Sequence, residues 1–156
     1  MEFEILKVDR KHLPEIAELE AACFTEPWSE NALNLFLGEE AVAFAALENG
    51  TLLGYIGMLL APDEGQILNL AVFPKARKRG VAKALVARLL QEAESRKLAM
   101  LSLEVRVSNL PAIRLYESVG FQTAGIRKGF YHHPVEDGLV MLKTLFPMFD
   151  FHKKGV

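Results

Sequence analysis

Residues 69–85 read NLAVFPKARKRGVAKAL, which predicts the end of a strand, a basic turn and the start of a helix. The apolar run closes at Pro74, and from Val81 onward the apolar residues recur at helical spacing. The turn therefore precedes a helix N-terminus, where the first main-chain N–H groups have no intrahelical acceptor and the helix dipole is positive. A phosphate or diphosphate is the natural ligand of such a turn.

Small and basic residues adapt this turn to a polyanion. Gly80 and Ala82 let a ligand approach the main chain closely. Five basic residues add long-range attraction: Lys75, Arg77, Lys78, Arg79 and Lys83. Two other interpretations are a plain strand-to-helix connection with solvated charges and a nucleic-acid patch. The second is disfavoured because no comparable basic cluster occurs elsewhere and no aromatic residues interleave with this one.

The composition indicates one domain from a reducing compartment. The chain has 156 residues, enough for one sizeable core, and a formal net charge of -2 argues against a general polyanion binder. Its single cysteine, Cys23, permits no internal disulfide, and its first residues lack the pattern of a secretory signal. The longest uncharged apolar run, 52–61, is too short to span a bilayer. We expect a cytoplasmic monomer that binds neither membrane nor nucleic acid.

The remaining patterns predict a mixed sheet. Asn49-Gly50 separates two apolar runs and is the strongest short hairpin signal. The alternation of residues 98–107, after the helix that follows the turn, predicts a strand parallel to the one before it. The full set of predicted strands is 2–8, 41–47, 52–61, 66–73, 98–107, 121–131 and 138–145, and the helices are 9–23, 30–37, 81–96 and 110–119.

These elements define an α/β fold class. We expect a single domain, residues 1–156, with a central mixed β-sheet of about seven strands flanked by about four helices. The sheet is antiparallel at first and parallel where the basic turn lies. The loop after Tyr131 is predicted to contain Glu136 and Asp137, and the tail 146–156 to pack its aromatic residues on the body.

Several residues suit acyl transfer, which needs a held thioester, a neutral amine, a stabilised oxyanion and a protonated leaving thiolate. A ligand bound at 77–82 would extend back along the preceding strand, where an N–H near Val72 could face the oxyanion. Glu104, near the end of the neighbouring strand, is the general-base candidate, or else a surface ion pair with Arg106. Tyr116 is either the acid or a core tyrosine with a bonded hydroxyl.

Two further side chains have a structural and a functional interpretation. Asn109 can cap the helix that it precedes, and it can also bind the amide of a pantetheine arm. Trp28 either staples two helices together or lines a substrate site. His132 and His133 adjoin acidic residues, but adjacent histidines are usually solvated, and we expect no metal site.

The motifs resemble those of the GNAT acetyltransferases. Arg77-x-x-Gly80-x-Ala82 is similar to their acetyl-CoA signature, Q/R-x-x-G-x-G/A, with Arg where many relatives have Gln and Ala where many have Gly. Similarity extends over nearly the whole chain apart from the C-terminal tail. The stretches PWSE, NLAV, LEVRVSN and AIRLYESVGF, with Tyr131, Glu136 and Asp137, resemble in particular family members that acetylate the N-terminal alanine of a small-subunit ribosomal protein.

The resemblance implies a set of roles. Glu104 would accept a proton and Tyr116 would donate one, with acetyl-CoA as cosubstrate and no metal. The residues that would hold acetyl-CoA are Leu70, Ala71, Val72, Arg77, Lys78, Arg79, Gly80, Val81, Ala82 and Asn109. The acceptor, the N-terminal segment of a protein, would bind between Trp28, Tyr131 and Glu136. Glu136 and Asp137 could attract a basic second residue.

Two alternatives remain open. One is a GNAT enzyme that acetylates lysine side chains or a small-molecule amine, for which activity on free N-terminal alanine would be poor. The other is an acetyl-CoA-binding sensor that keeps the basic turn but performs no chemistry. The presence of both Glu104 and Tyr116 argues against the sensor.

Overall fold

The computed structural model describes residues 2–146 and contains one seven-stranded mixed sheet with helices on both faces. Its strands are β1 (Glu4–Lys7), β2 (Ala41–Glu48), β3 (Thr51–Leu60), β4 (Glu64–Val72), β5 (Met100–Arg106), β6 (Gln122–Tyr131) and β7 (Glu136–Thr144). Its α-helices are α1 (Leu13–Cys23), α2 (Val81–Ser95) and α3 (Leu110–Ser118). The strand order is β1-β2-β3-β4-β5-β7-β6, and among these neighbours only β4 and β5 run parallel. The predicted mixed sheet is confirmed.

Local signals define most boundaries. Asn49 and Gly50 both have positive φ, 51° and 80°, which the tight turn between β2 and β3 requires. Asp9 caps a 3₁₀ turn, Arg10–His12, that leads into α1. The helix expected at 30–37 is a 3₁₀ helix, Ala32–Leu37, preceded by a hydrogen bond from the Ala32 N–H to Ser29 Oγ (3.1 Å).

The last strand begins earlier than the sequence predicts. Glu136 and Asp137 belong to β7 and not to the loop, because the antiparallel pairing with β6 already includes Tyr131 and Glu136. The connecting loop is therefore only 132–135. Of the predicted tail, Phe146 is 46% exposed, and residues 147–156 lie outside the described part of the chain.

The sheet carries a separate apolar cluster on each face. On one face, α2 contributes Leu85 and Leu89 to a cluster that includes Leu103 of β5. On the other face, α1 and the 3₁₀ helix Ala32–Leu37 pack over β3, where Phe36 meets Tyr55 edge-on at 6.2 Å between ring centroids. Each face of the central strands is thereby shielded from water, which is the main stabilising contribution to such a fold.

The two parallel strands stay paired over four residues only. Their register runs from Glu64 opposite Met100 to Ile67 opposite Leu103. A bulge at Leu68 then shifts the register of β4 against β3, and such a bulge bends its strand. Beyond it, β4 follows β3 while β5 follows β7, so the sheet opens between them.

Candidate active site

The opening between β4 and β5 leads into a cleft of about 530 Å³. Its walls come from the end of α1 and the loop after it, from both separating strands, from α3 and from the 132–135 loop. The expected residues that it brings together are Trp28, Leu70, Glu104, Asn109, Tyr116, Tyr131 and Glu136. Ala71, Val72, the basic turn 77–80 and the start of α2 do not line this cleft. The turn follows the end of β4 after one 3₁₀ turn, Pro74–Ala76.

The N-terminus of α2 has the features of an anion site. Lys78 and Gly80 have positive φ, 63° and 81°, so the main chain curls before Val81 begins the helix. Neither an N-capping side chain nor an acidic residue occupies the first turn. Its N–H groups therefore remain available to a ligand, and Ala82 beside them is small.

Two of the basic side chains in this turn already have partners. Arg77 donates through Nε to the Val72 carbonyl (3.0 Å), and its Nη2 lies 3.5 Å from the Cys23 sulfur. Arg79 forms an ion pair with Glu48 (2.7 Å), which raises the pKa of the arginine and lowers that of the glutamate. Both arginines thus fasten the turn to the sheet, and the remaining basic side chains of this region, Lys75, Lys78 and Lys83, are exposed.

The last residues of β4 present main-chain groups to the opening. The Phe73 N–H donates to the Leu53 carbonyl (2.9 Å), so the main-chain groups of Phe73 point toward β3. Because bonding alternates along an antiparallel ladder, the N–H groups of Leu70 and Val72 point away from β3. These two N–H groups therefore point toward the opening between β4 and β5. Asn109 caps α3 by accepting from the Ala112 N–H (3.3 Å) and also lines the cleft.

Glu104 is the carboxylate that faces this opening. Its side chain is 13% exposed, and Oε1 accepts a hydrogen bond from Arg127 (2.8 Å) rather than from Arg106. Its Oε2 is buried and accepts no hydrogen bond from any residue in 2–146. A buried carboxylate oxygen is normally bonded, so this one is placed to receive a donor from a ligand.

Two tyrosines line the same cleft as this carboxylate. Tyr116 is 4% exposed and packs edge-on against Phe121 at 5.4 Å between centroids. Burial raises the pKa of Tyr116, so its phenol stays protonated at neutral pH. Burial, followed by the charge of Glu104, raises the pKa of Tyr131 to about 12. Both phenols are therefore proton donors.

Arg106 anchors the short loop at the rim. Its guanidinium donates to the carbonyls of His132 and Pro134, both at 3.0 Å, and to Glu136 Oε1 at 3.1 Å. The Ser108 N–H bonds the other oxygen of Glu136 (2.8 Å). These bonds lower the pKa of Glu136. The carboxylate is ionised but already paired, which weakens the attraction that we expected it to exert on a basic residue.

Trp28 packs against the 3₁₀ helix Ala32–Leu37 and borders the cleft. Its indole stacks on Phe36 at 5.6 Å between centroids, and it also lines the cleft. The Phe36 ring lies over Gly57, where a Cβ would collide with the edge of that ring. The absence of a side chain at Gly57 therefore makes room for this aromatic stack.

Sequence reasoning missed a buried polar cluster at the base of the cleft. Glu20 is fully buried and accepts hydrogen bonds from the Trp28 N–H (2.9 Å), from Asn69 Nδ2 (2.6 Å) and from the Tyr55 hydroxyl. The signal was present, because Glu20 falls on the apolar face of α1 with Ile16. An acidic residue is rarely buried unless nearby groups form hydrogen bonds or ion pairs with it.

Comparison with known proteins identifies the class. The acetyltransferase (GNAT) family model matches residues 13–121. The chain is 37% identical to the ribosomal protein bS18-alanine N-acetyltransferase of Escherichia coli K12, over 86% of this chain and 89% of that one. It is 36% identical to the enzyme of the same name from Haemophilus ducreyi, over 78% and 82% of the two chains. The chain therefore belongs to the GNAT family and is an acetyl-CoA-dependent N-acetyltransferase.

The fold agrees with a solved structure. The crystal structure of the ribosomal-protein-S18-alanine N-acetyltransferase from Escherichia coli superposes with a TM-score of 0.87 at 32% identity, covering 96% of this chain and 97% of that one. Among residues 2–146, no helix is long and apolar enough to span a membrane, and no group of three or more His, Cys, Asp or Glu side chains could hold a metal ion.

Proposed function

We propose that this enzyme acetylates the α-amine of a protein N-terminus, alanine in particular, and that a small-subunit ribosomal protein in the cytoplasm is the acceptor. The names of the relatives at 36–37% identity support this choice of acceptor. The observation that carries the chemistry is the buried Oε2 of Glu104 at the opening between β4 and β5, which has no hydrogen-bond partner among residues 2–146. An arriving amine is the donor that this oxygen lacks.

The residues divide the work of the transfer. Acetyl-CoA, when bound, supplies the acetyl group as a thioester. N–H groups at Gly80, Val81 and Ala82 would hold its diphosphate, and the main chain of 70–72 would hold the pantetheine arm. The Val72 N–H would stabilise negative charge on the acetyl oxygen, a contribution of roughly 3 kcal/mol for one such donor in other enzymes.

Proton transfers complete the mechanism. Glu104 accepts a proton from the acceptor's ammonium group, directly or through one water, and the freed lone pair attacks the thioester carbonyl. As the C–N bond forms and the C–S bond breaks, Tyr116 returns a proton to the departing thiolate. Its raised pKa ensures that the phenol holds that proton beforehand. Cys23 takes no part.

The ionisation of amines favours an N-terminal acceptor. An α-amine of pKa about 7.8 is roughly one-tenth neutral at pH 7, whereas a lysine of pKa about 10.4 is neutral in about one molecule in two thousand. A modest base therefore suffices for the α-amine, whereas a lysine would need stronger deprotonation. The cleft walls at Trp28 and Tyr131 would flank the first residue of the acceptor chain.

One mixed assay tests the proposal. The enzyme is incubated with acetyl-CoA and two peptides of one sequence, one with a free N-terminal alanine and no lysine, the other N-blocked with one lysine. Mass spectrometry then locates the acetyl group. We expect label on the alanine α-amine. Label on the lysine peptide alone would favour the lysine alternative, and no thiol release with any amine would favour the sensor.

A further inference from the structure

The buried cluster of Glu20, Tyr55 and Asn69 fixes the orientation of one amide at the cleft. Glu20 is the hub, and its partners in the described residues are all neutral donors rather than basic side chains. Asn69 turns its NH₂ group toward Glu20, since Nδ2 donates to the carboxyl oxygen Oε2 (2.6 Å). The same Nδ2 donates to the Tyr55 oxygen (2.9 Å).

The other end of this amide is then directed elsewhere. Asn69 Nδ2 makes its hydrogen bonds within the cluster, to Glu20 Oε2 and to the Tyr55 oxygen, and no donor from residues 2–146 bonds Oδ1. Burial, with Glu20 beside it, raises the pKa of Tyr55 well above its usual range, so this phenol remains a donor to Glu20. Asn69 is half-buried and lines the cleft. Its Oδ1 is an available acceptor in a fixed orientation.

Asn69 and Glu104 lie on the same face of the sheet. Asn69 bonds Tyr55, which belongs to the cluster under α1. Leu103 and Val105 belong to the opposite cluster under α2, so Glu104 between them points to the α1 face. The last paired residues of the two strands are Ile67 and Leu103. Asn69 and Glu104 therefore stand on opposite sides of the opening just beyond that pair.

We infer that Asn69 Oδ1 accepts a hydrogen bond from the acceptor's α-amine, and that Glu20 and Tyr55 are positioning residues that hold the amide for it. The inference rests on the proposed function. The ammonium gives one proton to Glu104 and keeps a second hydrogen bonded to Asn69. Its lone pair is thereby aimed at the thioester carbon, where the C–N bond forms as the C–S bond breaks and the thiolate takes a proton from Tyr116.

Substitutions at Asn69 test the contact itself. Asn69→Leu removes the amide at similar size, and Asn69→Thr keeps a hydroxyl that can donate to Glu20 but loses the amide oxygen. We expect kcat/KM for an N-terminal alanine peptide to fall about tenfold or more in both variants, the size expected for a hydrogen bond to a charged group. The KM for acetyl-CoA and the melting temperature of the Thr variant should stay near wild type. Unchanged peptide kinetics in both variants would overturn the inference.

A double-mutant cycle tests whether Glu20 acts through Asn69. In Glu20→Gln, the new NH₂ group can donate to Asn69 Oδ1 and turn the amide around, so peptide kcat/KM should fall. In an Asn69→Leu background the same change should have little further effect. Fully additive losses would overturn the positioning role. Glu18→Gln is the matched control, because Glu18 is exposed on the same helix.

The two failures are distinguishable. If the wild-type enzyme does not acetylate the alanine peptide, the proposed function fails. If the wild-type enzyme is active and the Asn69 variants are equally active, only the contact with Asn69 is refuted.

Discussion

Replacing Glu104 by Gln removes the proposed proton acceptor at nearly constant size. Glu104 Oε1 accepts from Arg127, and a Gln amide oxygen can accept the same bond. Because the Arg127 side chain is 58% exposed, losing the ion pair should cost at most about 1 kcal/mol of stability. The buried Oε2 becomes an NH₂ group that cannot take a proton. We expect kcat to fall about 10²- to 10⁴-fold, the usual contribution of a positioned base.

The deficit of Glu104→Gln should also depend on pH. An α-amine of pKa about 7.8 is roughly one-tenth neutral at pH 7 and almost fully neutral at pH 9. Without its base the enzyme depends on that neutral fraction, so the variant should recover up to about tenfold over this range. Thiol release with an alanine peptide at saturating acetyl-CoA measures both effects. Wild-type kcat at pH 7, with a normal KM for acetyl-CoA, would show that another group takes the proton.

Three further substitutions separate acid, cofactor and acceptor functions. Tyr116→Phe keeps the ring packing but loses the proton donor, so steady-state kcat should fall about 10²-fold with both KM values unchanged; an unchanged kcat would contradict the role. Gly80→Ala, at φ 81°, should cost about 1 to 2 kcal/mol of stability and weaken acetyl-CoA binding in calorimetry, whereas wild-type affinity would argue against a main-chain site. Arg106→Gln frees the 132–135 loop and Glu136, so the KM for peptide should rise while the KM for acetyl-CoA does not; equal peptide KM would mean that the loop does not contact the acceptor.

Local signals made most of the architecture predictable. The Asn49-Gly50 turn needs two positive φ angles, and few other residue pairs supply them. The change from strand to helical periodicity at Val81 depends only on residues that are close together in the sequence. The start of α2 could therefore be predicted without knowing the fold. The parallel pairing of β4 and β5 followed because a helix between two strands carries the chain back across the sheet.

Non-local contacts account for what the sequence did not reveal. Glu104 pairs with Arg127, which lies 23 positions further along the chain, and not with Arg106, its neighbour on β5. The pairing of Glu136 with Arg106 depends on β7 lying next to β5. The Glu20 cluster joins residues 35 and 49 positions apart on three elements. Local sequence patterns do not show which distant residues will form a hydrogen bond or an ion pair.

Chemistry and acceptor choice rest on different parts of this fold. Val72 and Glu104 belong to strands that their ladders with β3 and β7 hold in place, so their separation does not depend on loops. The proposed acceptor walls are loops, and one side chain ties each of them to the core. Glu20 accepts a hydrogen bond from the Trp28 main chain, and Arg106 donates to two carbonyls of the 132–135 loop. Changes at the loop tips should therefore alter which peptide is bound, while the transfer step, once an amine is bound, stays the same.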